Sequence, residues 1–371
     1  MNVAFLGFIS CTSTQIDSSV ETTIPEDSGL HTIDDNTPHR FVLSSMLYLN
    51  RSGKLFLFDQ NTEEVVWELQ NPDDPVWLDA YISSDGTTIY HNVVDVKGHD
   101  SEKSEIRTIA PSGEIIDSIP TPGAHHSFVL YDNGFATITT EFRTHPAYGK
   151  VAGDRITFHS DGPTTTILSS FSVLDPAPLT TMWDFGHFED AKDWTHANAL
   201  RWYPQQDRFV LCLPGINAIW LFDSTGTMKA VYLGLGMEAE PYTQGIAYQN
   251  EPYPIYEGGT FDMPHGASMD TNGVVWVLSN GLGGQTISYA QGYAIENNSL
   301  VLKENIPARN PNAHSAGLGS VIHDRDGSLI INWGIYGQID KRSPQREEQW
   351  LLESNLQEVY GFSSLFDEWN P

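Results

Sequence analysis

The sequence predicts an all-β chain folded as a single six-bladed β-propeller over residues 39–371, and three observations predict it. From Phe41 onward, short apolar or aromatic runs alternate with Gly, Asp, Asn and Pro turns; period-two and β-branched patterning dominates, and almost no stretch carries a helical period. One shape recurs: a polar start, a short strand, an Asp/Asn–Gly turn and a second strand, which is a hairpin signal. A weaker pair with its turn at Ser–Gly or Thr–Gly follows, so a four-strand unit returns about every 45–70 residues, the spacing of propeller blades that carry loop insertions.

Taken in order, the units begin near Phe41, Trp77, His125, Trp194, Pro264 and His314, which favours six blades over seven. KLFLFDQNTEEVVWEL (54–69) supplies the first, and residues 349–366 can complete the same blade and close the ring. WLDAYISSDGTTIYHNVV (77–94) with EIRTIAPSGEIIDSI gives the second, and HHSFVLYDNGFATITT (125–140) with ITFHSDGPTTTIL the third. In the fourth, HANALRWYPQQDRFVLCL (196–213) has a longer turn and precedes IWLFDSTGTMKAVYL. HGASMDTNGVVWVLSN (265–280) and GSVIHDRDGSLIINW (319–333) open the fifth and sixth. Trp220, Trp276 and Trp333 read as wedges between blades.

Composition narrows the function. With 48 acidic against 19 basic residues and a formal charge of -29, the chain has no basic footprint, so no nucleic-acid partner is expected. Hydrophobic residues at 40% and charged residues at 18% are enough to bury a large core and exclude a disordered acidic tail. No apolar run approaches the roughly 20 residues of a membrane-spanning helix. Two cysteines, Cys11 and Cys212, make neither a disulfide framework nor a zinc knuckle. The opening MNVAFLGFISC, followed by a Ser/Thr/acidic run, resembles the end of a bacterial lipoprotein signal peptide, although no Lys or Arg precedes it. On that reading residues 1–38 are a signal and flexible tether, Cys11 carries lipid, and the protein is exported, periplasmic or anchored to a membrane by that lipid; the other reading is a cytosolic protein with a frayed N-terminus.

Register singles out a set of histidines. His126 and His265 each stand eight residues before a turn glycine, Gly134 and Gly273, at the start of an innermost strand. His196 takes the same slot once the longer turn is allowed for, and His314 lies five residues before Gly319. Innermost strands line a propeller's axis, so these imidazoles are expected to converge on one mouth of the channel, with Arg143, Asn280 and Trp333 at the ends of the returning strands. His91, His99, His145, His159, His187 and His323 have no such register and read as surface or blade-edge residues. The repeat can also propagate a histidine for packing alone, which would make the ring structural.

The segment DWTHANALRWYPQQDRFVLCLPGINAIWLFDSTGTMKAVYLG (193–234) resembles the arylsulfate sulfotransferase (arylsulfotransferase) family, which carries a DW-x-H-x-N motif before two strands and a turn. HHSFVLYDNG, the PHG hairpin ending in SNG (264–281) and GSVIHDRDGSLIINWG (319–334) are similar too, so the resemblance spans roughly 124–337. It implies a six-bladed propeller that moves a sulfuryl group from a phenolic sulfate ester to a phenol, with no nucleotide donor and no cofactor. The catalytic residues would be His265 as the transiently sulfated nucleophile, with His196 and His126 (or His125) as acid/base and oxyanion partners. His125, Arg143, Asn198, Asn280 and His314 would bind substrate. The residue types suit the chemistry: imidazole is both nucleophile and leaving group, and charge spread over three sulfuryl oxygens calls for cationic donors. The family's arginine after the motif is replaced by Pro214 in LCLPGIN, and Arg143 is the candidate substitute. The family's N-terminal disulfide has no counterpart, since Cys11 is the only cysteine before Cys212.

Two other readings start from the same residues. Converging neutral imidazoles are ligands for Zn²⁺, Cu²⁺ or Fe²⁺, and MPHGASMDTNGVVWV is similar to the PHG hairpins of metal-dependent propeller lyases such as the streptogramin lyases. A non-catalytic binding propeller would instead use surface loops such as residues 237–260, rich in Tyr, Pro and Glu.

Overall fold

Hairpins form here because the turn residues adopt what the flanking strands require. Gly86, Gly273 and Gly327 hold φ at 72°, 79° and 84°, a left-handed conformation that costs glycine nothing. Each returns one strand onto its antiparallel neighbour. The computed structural model describes residues 37–371 apart from 49–52, 72–73, 75, 95–100, 161, 181, 246–251, 282–286, 310–313 and 355–357. Strand accounts for 54% and helix for 5%, and the strands form the six blades of a β-propeller, as the repeat predicts.

The second blade runs outward through Ala80–Ile82, Ile89–Val93, Glu105–Ile109 and Ile115–Pro120. The third comprises Ala124–Tyr131, Gly134–His145, Gly149–His159 and Thr165–Ser169, and the two-residue strand Lys192–Asp193 joins it alongside Gly149–His159. Ala199–Tyr203, Arg208–Leu213, Ala218–Phe222, Met228–Leu233 and Ile255–Tyr256 make the fourth. The fifth is Pro264–Met269, Val275–Ser279, Tyr289–Glu296 and Ser299–Pro307; the sixth is Ser320–His323, Leu329–Asn332, Gln338–Arg342 and Glu348–Glu353.

The first blade takes strands from both ends of the chain. Phe41–Tyr48, Gly53–Asp59 and Glu64–Asn71 are joined by Glu358–Phe366, with Phe41 opposite Phe366 and Val42 opposite Leu365. The first sequence unit is therefore three strands, and the C-terminal strand supplies the innermost fourth. Glu348–Glu353 overlaps the segment expected to complete this blade and is instead the outer edge of the sixth.

Packing between blades uses the predicted wedges: Trp220 joins residues of the third and fourth blades in one cluster, and Trp276 and Trp333 join the fifth and sixth. Asparagines at the axial ends of strands add polar latches to the next blade. Asn92 Nδ2 donates to the His126 carbonyl at 2.8 Å, Asn198 to Pro264 at 3.0 Å, Asn280 to Ser315 at 2.9 Å and Asn332 to Gly361 at 3.1 Å. Three of these latches fix the backbone at or beside a candidate histidine, His126, His265 and His314. Cys11, the segment 1–36 and His99 lie outside the described residues. Among the described residues no helix is long and apolar enough to cross a membrane.

Candidate active site

Entry into the innermost strands is irregular, and that irregularity aims the histidines. In the third blade the ladder slips between Ala124 and Phe128, and His126 adopts φ 56° within it. His196, just ahead of Ala199–Tyr203, has φ 48°. In the fifth blade the slip lies between His265 and Ser268, and the left-handed residue is Gly266 at φ 51°. His265 thus stands one position before the left-handed slot that the turn spacing assigned to it. A left-handed conformation costs a non-glycine residue about 1–2 kcal/mol, and such strain concentrates at functional sites.

The structure brings His125, His126, His196 and His265 to one place. His125 Nδ1 lies 2.9 Å from His126 Nδ1, and the His126 and His196 ring centres are 5.2 Å apart. His265 belongs to the same group, since it perturbs His126 and is itself perturbed by His196. Two carboxylates hold the edges. His125 Nε2 is 3.0 Å from Asp154 Oδ1, and His196 Nδ1 is 2.7 Å from Asp193 Oδ2. A carboxylate only accepts, so His125 carries its proton on Nε2 when neutral. Its Nδ1 then accepts from His126 Nδ1–H, which leaves His126 Nε2 without a proton. By the same reasoning the Met263 carbonyl, 3.2 Å from His265 Nδ1, places the His265 proton there and the lone pair on Nε2.

Protonation follows from these surroundings. Burial, with the Met263 carbonyl partly opposing it, pushes His265 down to about 4, so it is neutral at physiological pH. Burial and the neighbouring imidazoles push His126 well below its ordinary value. For His196 burial acts in the same direction, but Asp193 and then Asp154 outweigh it and hold the ring above the usual value. The site therefore pairs neutral imidazoles with one that favours the cation.

Asn198 and Asn280 sit beside this group as latches. Asn198 is fully buried and grips the carbonyl preceding His265; Asn280 Nδ2 holds the Ser315 carbonyl, and its side chain slightly favours the protonated form of His265. His314 hydrogen-bonds the Gly281 carbonyl at 3.1 Å rather than another imidazole. Arg143 is turned elsewhere: its strand continues past the mouth, and its half-exposed guanidinium pairs with Glu141 at 2.9 Å and lies over the Phe171 ring. Pro214 starts a buried 3-10 turn, Pro214–Ile216, whose Gly215 N–H bonds the Thr195 carbonyl. No side chain there can extend as an arginine would.

Sequence reading missed three contributors and misplaced others. His187, read as a surface or blade-edge residue, is half-buried and stacks on His196 with ring centres 4.9 Å apart; Phe185 also stacks on His196, at 4.1 Å. His91 and His159, read the same way, are buried, His91 under Trp77. Asp154, which the sequence did not single out, gives its second oxygen to the Thr195 hydroxyl and the Ala197 amide at 2.6 Å each. Asp193 stood in the quoted motif without a role. Further along the inner strand, Arg201 spans the axis: Nη1 reaches Asp79 Oδ2 at 3.1 Å and Tyr81 Oη at 2.9 Å, and Nη2 reaches the Ser363 carbonyl at 3.3 Å.

No curated protein matches the chain. Among solved structures, a Bacteroides caccae protein of unknown function is 10% identical over 88% of this chain and 98% of its own, with a TM-score of 0.51. A hypothetical selenium-binding protein from Sulfolobus tokodaii is 11% identical over 90% and 96%, with a TM-score of 0.49; a streptogramin B lyase is 13% identical over 89% and 87%, with a TM-score of 0.43. The first shares the fold, and no activity is carried over from any of them. The model described as Arylsulfotransferase (ASST) matches residues 29–231, more than half of the chain and the part that contains Asp154, His187 and the DW-x-H-x-N motif. By that match the chain belongs to the arylsulfotransferase family.

Proposed function

We propose that this arylsulfotransferase-like protein moves a sulfuryl group from a phenolic sulfate ester to a phenol through a sulfated His265. The observation that carries the reading is the convergence of four predicted histidines, from three blades, on one group whose outer members are fixed by Asp154 and Asp193. In the first half-reaction His265 Nε2 bonds to sulfur and the sulfur–oxygen bond to the aryl group breaks, releasing a phenolate. In the second, the acceptor phenol oxygen bonds to sulfur, the nitrogen–sulfur bond breaks and His265 is restored. His126 Nε2 takes the acceptor's proton, and its Nδ1–H is passed toward His125, where Asp154 stabilises the positive charge; the proton returns to the next departing phenolate. The His196 ring, its proton held by Asp193, presents its remaining edge to the sulfuryl oxygens at the place left without an arginine by Pro214, although Asp193 balances its charge.

The test uses 4-nitrophenyl sulfate as donor and phenol as acceptor. Nitrophenol release that requires phenol, is lost in His265→Ala, and leaves one sulfuryl group on the His265 peptide when phenol is withheld supports the reading. A wild-type protein that releases no nitrophenol, or an undiminished His265→Ala variant, overturns it.

A further inference from the structure

We infer that His187, Asp193 and His196 bind a first-row divalent metal ion of the Zn²⁺ type at the sulfuryl face. One nitrogen of each imidazole and one carboxylate oxygen lie within 4.8 Å of one another, Asp193 and His196 buried and His187 half-buried. Ligand bonds of about 2.0–2.2 Å set tetrahedral ligand atoms about 3.4 Å apart, so the triangle tightens on binding and the ion displaces the proton between His196 and Asp193. Two imidazoles and one carboxylate suit Zn²⁺, Co²⁺ or Fe²⁺ better than Mg²⁺ or Ca²⁺, which prefer all-oxygen sets. Three protein ligands leave positions open, as in metal sites that meet a substrate rather than structural ones.

Charge around the site supplies the reason for an ion. Asp154 and Asp193 place two carboxylates among the histidines, while the arginines nearby are committed elsewhere, Arg143 to Glu141 and Arg201 to Asp79. A sulfate ester entering this mouth meets no fixed guanidinium, and the one imidazole that favours the cation is balanced by Asp193. An ion at His187–Asp193–His196 supplies positive charge and gives the sulfuryl oxygens a Lewis acid. Binding of the ion does not depend on sulfuryl transfer, but this role rests on that reading.

The experiment is a titration of chelator-stripped protein with Co²⁺, followed by visible absorption and calorimetry, on wild type, His187→Ala, Asp193→Asn and His265→Ala. Circular dichroism establishes that each variant is folded. One equivalent bound by wild type and by His265→Ala, with affinity lower by about tenfold or more in the other two, supports the site. No binding, or binding indifferent to His187 and Asp193, overturns it. Turnover of 4-nitrophenyl sulfate separates the role: activity lost to chelator and restored by Co²⁺ supports it, and activity that ignores chelator overturns the role while sulfuryl transfer stands. A protein that binds Co²⁺ stoichiometrically and turns over no sulfate ester keeps the metal site and loses the transfer reading.

Discussion

Asp154 holds His125 through one carboxylate oxygen, 3.0 Å from Nε2, and spends the other on the Thr195 hydroxyl and Ala197 amide that frame His196. One side chain thereby fixes the proton position of the third-blade histidines and the backbone of the fourth-blade one. Burial alone would raise its proton affinity, but His125, Thr195 and Ala197 hold it below the ordinary carboxylate range, so it is ionised at neutral pH.

Asp154→Asn keeps the shape and removes the charge. A positioned acid or base contributes about 10²–10⁴-fold, so kcat for 4-nitrophenyl sulfate with phenol falls by that order. Stability also drops by about 1–3 kcal/mol in urea unfolding as buried donors lose their acceptor. A variant that loses stability and keeps kcat would show that the His125–His126 pair is structural.

Access to the nucleophile is a separate matter, governed by Gly317. A Cβ added there comes 3.9 Å from His265 Nε2 and 3.5 Å from Ile335 Cδ1, both ordinary contacts. Gly317→Ala is therefore tolerated by the fold and sets a methyl group beside the lone pair. The expected result is a near-normal melting curve with kcat/KM reduced by about tenfold or more, the size of a steric loss of 1.4 kcal/mol. Unchanged kcat/KM would mean that substrate reaches His265 from another side.

Arg201 is bound to a buried carboxylate and is therefore sensitive to deletion of its charge. Its partly buried guanidinium pairs with the fully buried Asp79, which burial pushes upward in proton affinity while Arg201 opposes the shift. Arg201→Met leaves that carboxylate buried beside an apolar chain and is expected to cost about 3–5 kcal/mol; Arg201→Met with Asp79→Asn should cost clearly less. Urea unfolding of the single and double variants measures the difference, and a single variant near wild-type stability would refute the assigned role.

What the sequence revealed was whatever is local. Asp/Asn–Gly turns depend on two or three adjacent residues, so Gly86, Gly273 and Gly327 mark real hairpins, and equal spacing from such turns aligned His126 with His265. His187 lies in the long connection after Thr165–Ser169, where no period operates, and only folding places it on His196. Asp154 sits in GKVAGDRITFH, where its pattern matches a solvent-facing strand residue. Arg143 was assigned to the mouth from the end of its strand, but Gly134–His145 runs beyond the level at which Thr140 N–H meets the Gly123 carbonyl, which carries the arginine to the rim.

The last prediction concerns acid stability and His91. This imidazole is 1% exposed, packed 4.5 Å from Trp77, and burial pushes it down to about 3, against a weaker opposing effect of the Asn92 carbonyl. An unfolded histidine takes up its proton near 6.5, so between about 6.5 and 3 the unfolded chain binds a proton that the folded chain refuses. Stability therefore rises with pH through this window and is lost as pH falls, at up to about 1.4 kcal/mol per pH unit. His159, pushed down to about 4 by burial, acts in the same direction. Carboxylates titrate in the same range, so the measurement is a difference: urea unfolding of wild type and His91→Phe at several values between pH 7 and pH 4. The variant should gain on wild type steadily as pH falls, because a phenyl ring under Trp77 has no proton to refuse. Parallel curves would mean that His91 takes up its proton while folded, and burial would then not govern its protonation.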